Sequence, residues 1–445
     1  MLFSFGLRSS LLLPFVVPGA VATLWLLGRA VRRGAAPDAF LALLIALPTL
    51  SVSQWMLGYA GWFDSHDGHS TVMFYVPWRA ILLLGPGYYL YFRSLTNQDF
   101  GWRRLGWHLL PGLLELGLFG AAAAYDLLWC RALKGQTLPD FYGTKGAAAT
   151  ALDALYLPEA LLGYALLLGY GLRVLAGYRR YARYLNDNFS DPERLRFAGL
   201  RQLLLLQALV LTVGLVFTVL NVWVEFSYDA AWYFFALRGA LIYGLIVVGV
   251  QANYAAATTP LRFEPTGAAG AASEATSAAS EPTPGASETT SVASEPTPEA
   301  SLATPAVAPT APIGSGTAPT AAPAETAAAL APELLPWRAK LLALMADERP
   351  WLEPELTLTE LAHRLRTHPA LLSKVINAGC GQNFNDFVNT YRVQEARRKL
   401  ADPRLAHYSL VGVALESGFN SKSTFNRVFK KLLGQAPSEV VRPKS

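Results

Sequence analysis

Seven apolar stretches of about 20 residues recur before residue 258, and each is long enough to cross a hydrocarbon core of roughly 30 Å as an α-helix. They run near Ser10 to Ala30, Ala39 to Gly61, Thr71 to Phe92, Leu105 to Leu128, Leu155 to Leu175, Leu200 to Val222 and Ala230 to Gln251. Backbone donors and acceptors inside lipid must be satisfied within each segment, so the expected architecture is a bundle of membrane-spanning helices. The composition fits: 52% of the 445 residues are hydrophobic and only 16% are charged, too few charges for an ordinary soluble chain. Pro18-Gly19-Ala20-Val21-Ala22 offers small residues of the kind that follow a signal peptide. A cleaved signal is nevertheless not expected, because Arg8 alone supplies an n-region charge and the apolar run continues through Leu27 into a basic stop.

Charge divides the chain into three blocks. Residues 1–262 hold 20 Lys/Arg and 14 Asp/Glu, residues 263–333 hold eight Glu and no basic residue, and residues 334–445 hold 17 basic and 10 acidic groups. The net charge of +5 therefore conceals a basic tail, the balance expected for a polyanionic partner. In the first block the basic residues gather in alternate loops. Loop one carries Arg29, Arg32 and Arg33, loop three Arg93, Arg103 and Arg104, and loop five Arg173, Arg179, Arg180, Arg183, Arg194 and Arg196. Loops two and six carry none, and loop four only Arg131, Lys134 and Lys145. Positive charge near helix ends is retained in the cytoplasm, which predicts an outside amino terminus and a cytoplasmic carboxyl terminus. Seven crossings put the basic tail on the side of the chromosome.

Arg79, Glu115, Asp126, Glu159 and Arg238 fall inside the apolar stretches. Charges in hydrocarbon are costly unless paired or hydrated, so these five face the bundle interior, either as ion pairs that fix helix packing or as one outward-opening signal site. Prolines such as Pro48, Pro77 and Pro86 read as packing kinks. Cys130 and Cys380 form no disulfide framework or zinc spacing, and His363, His368 and His407 are scattered, so neither metal nor cofactor is expected. No phosphate-cradling loop or nucleophile with a base appears, which argues against an enzyme.

From residue 258 to 332 the chain is mostly Ala, Thr, Ser, Pro, Glu and Gly, with Ser-Glu-Pro-Thr-Pro at Ser280 and again at Ser294. So few large apolar residues predict a disordered tether of about 45 Å root-mean-square span. A protease-sensitive segment that releases the tail is the alternative.

In the tail, residues 337–345 read as an amphipathic helix with Leu341, Leu342 and Met345 on one side. Thr357 and Glu360 carry a capping-box pattern ahead of Leu358, Leu361, Ala362 and Leu365. After Thr367-His368, Pro369 opens a second helix to about Asn377, whose apolar side is Leu371, Leu372, Val375 and Ile376. A longer helix from about Asn385 to Ala401 follows, with Phe387, Val388, Tyr391 and Val393 apolar and Arg392, Arg397, Arg398 and Lys399 expected to be more exposed. The plan then repeats. Leu410, Val413 and Ala414 mark a first helix, Gly418 a sharp turn, and Ser421 the cap of a second helix with a stripe of Phe425, Val428, Phe429 and Leu432. Opposite that stripe lie Lys422, Ser423, Asn426 and Arg427, a polar cationic face of the kind that reads a major groove.

The run from Gly418 to Lys431, followed by Gly434 and Pro437, resembles the signature of the AraC-type transcription factor family. Leu372-Ser373-Lys374-Val375-Ile376-Asn377, Asn383-Phe384, Asn389 and Tyr391-Arg392-Val393 resemble its first unit. The likeness covers about a quarter of the chain. It implies two helix-turn-helix units joined by one helix, with each recognition helix in adjacent major-groove segments of one DNA face. By position it nominates Ala370, Ser373 and Lys374, and then Lys422, Ser423 and Asn426, for base contact, and Arg427 and Lys430 for phosphate. Ala370 and Leu371 depart from the polar and aromatic residues often found there, so the first helix is expected to read sequence weakly. Leu84-Gly85-Pro86 with Tyr89, Tyr91 and Arg93, and Trp107-His108 before Pro111, are similar to the seven-span half of membrane-bound AraC-type regulators.

The expected fold is thus all-α: a seven-span transmembrane sensor bundle at residues 1–257, a disordered linker at 258–332, and an AraC-type double helix-turn-helix domain at 333–445. The expected function is transcription regulation from a bacterial inner membrane. Partners would be promoter double-stranded DNA, the lipid bilayer, an unidentified small-molecule or membrane signal, and a second copy of the chain. The competing expectation is a transporter or intramembrane enzyme with a fused autoregulatory DNA-binding tail.

Overall fold

A computed structural model describes residues 4–97, 100–101, 106–195, 198–224, 226–251, 263, 332–405 and 407–440. Apart from Phe263 and Pro332, the expected linker lies outside the described residues, as do Arg103, Arg104 and Arg196. The amino-terminal half comprises α1 (Leu13–Arg33), α2 (Ala36–Tyr59), α3 (Gly68–Tyr75), α4 (Leu84–Thr96), α5 (Leu110–Ala123), α6 (Ala147–Ala154), α7 (Tyr156–Asn188), α8 (Ala198–Val224) and α9 (Tyr228–Gln251). The described residues contain no β-strand, only two isolated bridges.

Six helical stretches among the described residues are long and apolar enough to cross a membrane. Five of them bury only 17–28% of their most apolar window inside the protein, whereas the α2 stretch buries 56%. The remaining apolar side chains, Leu113, Leu114 and Leu118 among them, point outward, an arrangement that water would penalise and lipid accommodates. α2 is central, packed against α1, α4 and α9, while α4 packs along α7. At Gly85 the two helices come so close that a Cβ would lie 2.9 Å from the Leu166 carbonyl, the small-residue contact expected where helices pack within lipid.

The third expected span is not one helix. The stretch from Thr71 to Phe92 divides into α3 and α4, with extended backbone at Val76 and Ala80 at φ +37°. Pro77 supplies the reason, since its ring disfavours helical backbone at Val76 and it has no N–H to donate. The break exposes amides that Glu115 satisfies: its two carboxylate oxygens accept from Ile81 N and Leu82 N, both at 3.0 Å. Every residue of α4 is buried.

α7 has 33 residues, about 50 Å of helix, and runs well past the expected end at Leu175. Tyr181 and Leu185 continue its buried stripe at 0% exposure, so the helix runs past its most apolar part without losing its packing.

The carboxyl-terminal half comprises α10 (Leu335–Asp347), α11 (Leu358–Arg364), α12 (Pro369–Cys380), α13 (Phe384–Ala401), α14 (Leu410–Glu416) and α15 (Lys422–Leu433). Two apolar clusters form, one around Leu361, Ile376 and Phe387, the other around Val393, Phe425 and Phe429. α13 contributes to both. It thereby joins the two helix pairs.

Candidate nucleic-acid interface

Local chemistry sets the ends of each helix pair. The Thr357 hydroxyl accepts from Glu360 N at 3.2 Å while the Glu360 carboxylate accepts from Thr357 N at 3.0 Å, closing the capping box of α11. Pro369 is the first residue of α12, and Ser421 accepts from Thr424 N at 3.2 Å to cap α15. Gly418 turns the chain at φ +85°, where a Cβ would also collide with Trp351 O. Only glycine meets both demands.

Packing then decides which side chains remain outside. On α12, Leu372, Val375 and Ile376 are buried, Ala370 and Lys374 are exposed, and Ser373 is half-buried, accepting from Asn377 Nδ2 at 3.3 Å. On α15, Phe425, Val428 and Phe429 face the core while Lys422, Ser423, Asn426, Arg427 and Lys430 are exposed. All eight nominated residues therefore sit on the two second helices. Ser373 alone among them is half-covered. Leu432, expected in the core stripe, is 37% exposed, and Leu433 packs against the cluster instead.

Arg392 is the largest departure from expectation in this half. Expected at the surface, it is 1% exposed. Its guanidinium donates to Trp351 O at 2.8 Å, Glu353 O at 2.7 Å and Pro354 O at 3.3 Å, and lies 6.0 Å from the Phe419 ring. One cation thus ties the segment before α11 to the turn of the second unit. Burial pushes its pKa down to about 10, partly opposed by the Asp191 carboxylate. Helical periodicity could not reveal this, because the carbonyls that Arg392 satisfies are about 40 residues distant, with |i−j| of 38, 39 and 41.

Four of the five ionisable residues of the membrane half come together, Arg79, Glu115, Glu159 and Arg238. Arg79, Glu159 and Arg238 line one cavity of about 400 Å³, together with Trp55, Tyr228 and Phe235. Arg79 lies 3.9 Å from Glu159 and over the Tyr156 ring. Arg238 Nε is buried with no hydrogen-bond partner among the described residues. Glu115 is hydrogen-bonded to the cavity residue Glu159 and also serves the helix break. Asp126 accepts from Ala148 N and Ala149 N at the start of α6 and from the Tyr75 hydroxyl. Both carboxylates satisfy backbone amides, a use the sequence pattern does not expose.

Two short helix pairs joined by a long helix, with the polar face of each second helix exposed, define a double helix-turn-helix domain. Residues 361–442 match the family described as "Helix-turn-helix domain", so the carboxyl-terminal domain is an AraC-type helix-turn-helix domain. An uncharacterized HTH-type transcriptional regulator of Bacillus subtilis (strain 168), YtdP, is 35% identical over 85 residues, 19% of this chain and 11% of the relative. Uncharacterized HTH-type transcriptional regulators of Staphylococcus aureus strains COL and MSSA476 are each 31% identical over 85 residues, again 19% of this chain and 11% of the relative. The matched region is therefore about a tenth of the length of these curated relatives. No solved structure matches the chain.

Proposed function

We propose that the chain is a membrane-anchored transcription regulator that couples a signal received in its helical bundle to promoter binding by the double helix-turn-helix domain. The amino terminus lies outside and the carboxyl-terminal domain in the cytoplasm, at a bacterial inner membrane. The observation that carries this reading is the exposed cationic face of α12 and α15 on a chain whose other half turns apolar helices outward. Lys422, Ser423 and Asn426 contact base edges and Arg427 and Lys430 contact phosphate, with Ala370, Ser373 and Lys374 in the neighbouring groove segment.

The cavity at Arg79, Glu159 and Arg238 receives the signal. Two guanidinium groups and the Glu159 carboxylate, itself hydrogen-bonded to the Glu115 carboxyl, are there, Arg238 has an unused donor at Nε, and rings line the wall. That set fits a small organic anion with an apolar or aromatic body. The test is promoter-reporter output from the full-length chain. Arg238→Met abolishes the response while leaving protein levels in the membrane unchanged; an unaltered response refutes the cavity as the signal site.

One observation favours the transporter reading, namely the interrupted third segment, since broken helices often line solute sites. Solute flux through proteoliposomes, with promoter output indifferent to the cavity variants, would establish it in place of the sensor.

A further inference from the structure

The loop between α7 and α8 meets the helix-turn-helix domain at the start of α11, on α13, at the turn of the second unit and on α15. Phe189 forms an antiparallel bridge with Thr357, and Ser190 N donates to Leu356 O at 3.2 Å. Asn385 Nδ2, at the start of α13, donates to Ser190 O at 2.6 Å, and Arg392 Nη2 donates to Ser190 Oγ at 3.1 Å. In the second unit, Asn420 Nδ2 donates to Asp191 Oδ2 at 3.1 Å. On the recognition helix itself, Arg427 Nη2 lies 3.0 Å from Glu193 Oε1. Ser190 and Asp191 are 1% and 8% exposed.

The chemistry of this contact is that of a substitute for phosphate. Two carboxylates on one short loop approach the polar groups of the second unit, and one of them takes the arginine assigned above to the DNA backbone. A duplex on the same face would bring its phosphates against Asp191 and Glu193, like charge against like. The fit also has a defect. Asp191 Oδ1 is buried without a hydrogen bond among the described residues, so the docked arrangement does not satisfy every group it desolvates. Such an arrangement is reversible.

From these contacts we infer that the loop Phe189–Leu195, through Asp191 and Glu193, is a docking surface for the chain's own helix-turn-helix domain, and that docking and duplex binding are mutually exclusive. α7 makes the dock responsive to the membrane half. Its amino-terminal end places Tyr156, Glu159, Ala160 and Tyr164 in the cavity wall, and its other end leads directly into the loop. One continuous helix therefore spans both sites. The competition rests on the DNA-binding reading proposed above; the dock itself does not.

The test uses the full-length chain in lipid nanodiscs with Cys130 and Cys380 replaced by Ser, carrying Ser190→Cys and Asn385→Cys. Disulfide formation reads the dock directly. Binding of a labelled mixed-sequence duplex of about 40 bp at low salt reads the competition, because phosphate attraction alone supplies non-specific affinity. The expected result is a cross-link that lowers duplex affinity about tenfold or more, reversed by reductant. In the same chain without the cysteine pair, Glu193→Gln raises affinity for that duplex. A cross-link that leaves duplex affinity unchanged overturns the exclusion, and failure of the cysteines to cross-link overturns the dock. If the reduced protein binds no duplex while the cross-link forms, the DNA-binding reading fails and the docking surface stands.

Discussion

Replacing Arg392 with Met keeps most of the side-chain volume and removes the cation that ties the two helix-turn-helix units together. Two opposing quantities set the outcome. The charge is expensive to bury: a pKa lowered from 12.5 to about 10 corresponds to about 3 kcal/mol disfavouring the charged form, and this cost disappears with the guanidinium. Against it, Trp351 O and Glu353 O lose short charge-assisted hydrogen bonds of 2.8 and 2.7 Å, while Pro354 O and Ser190 Oγ lose longer ones. Bonds to a charged donor contribute about 1.5 to 3 kcal/mol each, and the buried Trp351 carbonyl left unpaired adds to the loss, whereas Glu353 O and Pro354 O keep Leu356 N and Asn420 Nδ2 as donors. The hydrogen bonds win, and the net destabilisation is about 3 kcal/mol. Amide hydrogen exchange of the full chain in nanodiscs measures it locally. Protection in α13 and in the 351–364 segment should fall roughly 150-fold, whereas α1 and α2 should be unchanged. A loss below about fivefold in α13 would show that desolvation cancels the hydrogen bonds, and the stapling role assigned to Arg392 would be wrong.

Lys422→Ala or Asn426→Ala should change sequence preference at a cost of about 1 to 3 kcal/mol, whereas Arg427→Ala should weaken all duplexes evenly and reduce the salt slope by about one. Gel shifts on a panel of sequences at two salt concentrations separate the classes, and identical behaviour of all three variants would contradict the assignments. Gly418→Val places a β-branched residue at φ +85° with its Cβ against Trp351 O, and should destabilise the second unit by more than about 2 kcal/mol. Thermal unfolding followed by tryptophan fluorescence would reveal it. Glu115→Gln turns an amide donor toward the Ile81 and Leu82 N–H groups and should lower stability in detergent by about 1 to 3 kcal/mol. Arg238→Met, which frees a buried cation without a hydrogen-bonded partner at Nε, should not. Equal melting temperatures for those two variants would remove the distinction between the helix-break carboxylate and the cavity arginine.

What the sequence revealed was governed by local rules. Thr357 with Glu360, Pro369, Gly418 and Ser421 each act on residues within one helical turn, so their roles could be read from spacing, and apolar length marked seven stretches, six of which are long apolar helices. Failures came where distant chain segments supply the partner. Pro77 interrupts the third segment, and the break persists because Glu115, over 30 residues later, accepts the freed amides. Arg392 has the sequence context of a solvated helix face, yet the carbonyls near Trp351 and the loop at Ser190 enclose it. Asp126 and Glu159 are both acidic residues in apolar stretches. One caps α6 and the other lines a cavity, a difference set by tertiary packing. Apolar length ended the fifth stretch at Leu175, and only the packing of Tyr181 and Leu185 shows that α7 continues to Asn188.

In the reading proposed above, one membrane-embedded chain holds promoter DNA through its carboxyl-terminal face. Formaldehyde cross-linking in intact cells, followed by membrane isolation and sequencing of DNA recovered with the full-length chain, tests it most directly. Discrete enriched fragments that share a sequence motif are expected, lost in Lys422→Ala/Asn426→Ala and still attached to full-length protein in the membrane fraction. Recovery of no enriched fragment, or of fragments bound only to a soluble carboxyl-terminal piece, would contradict it.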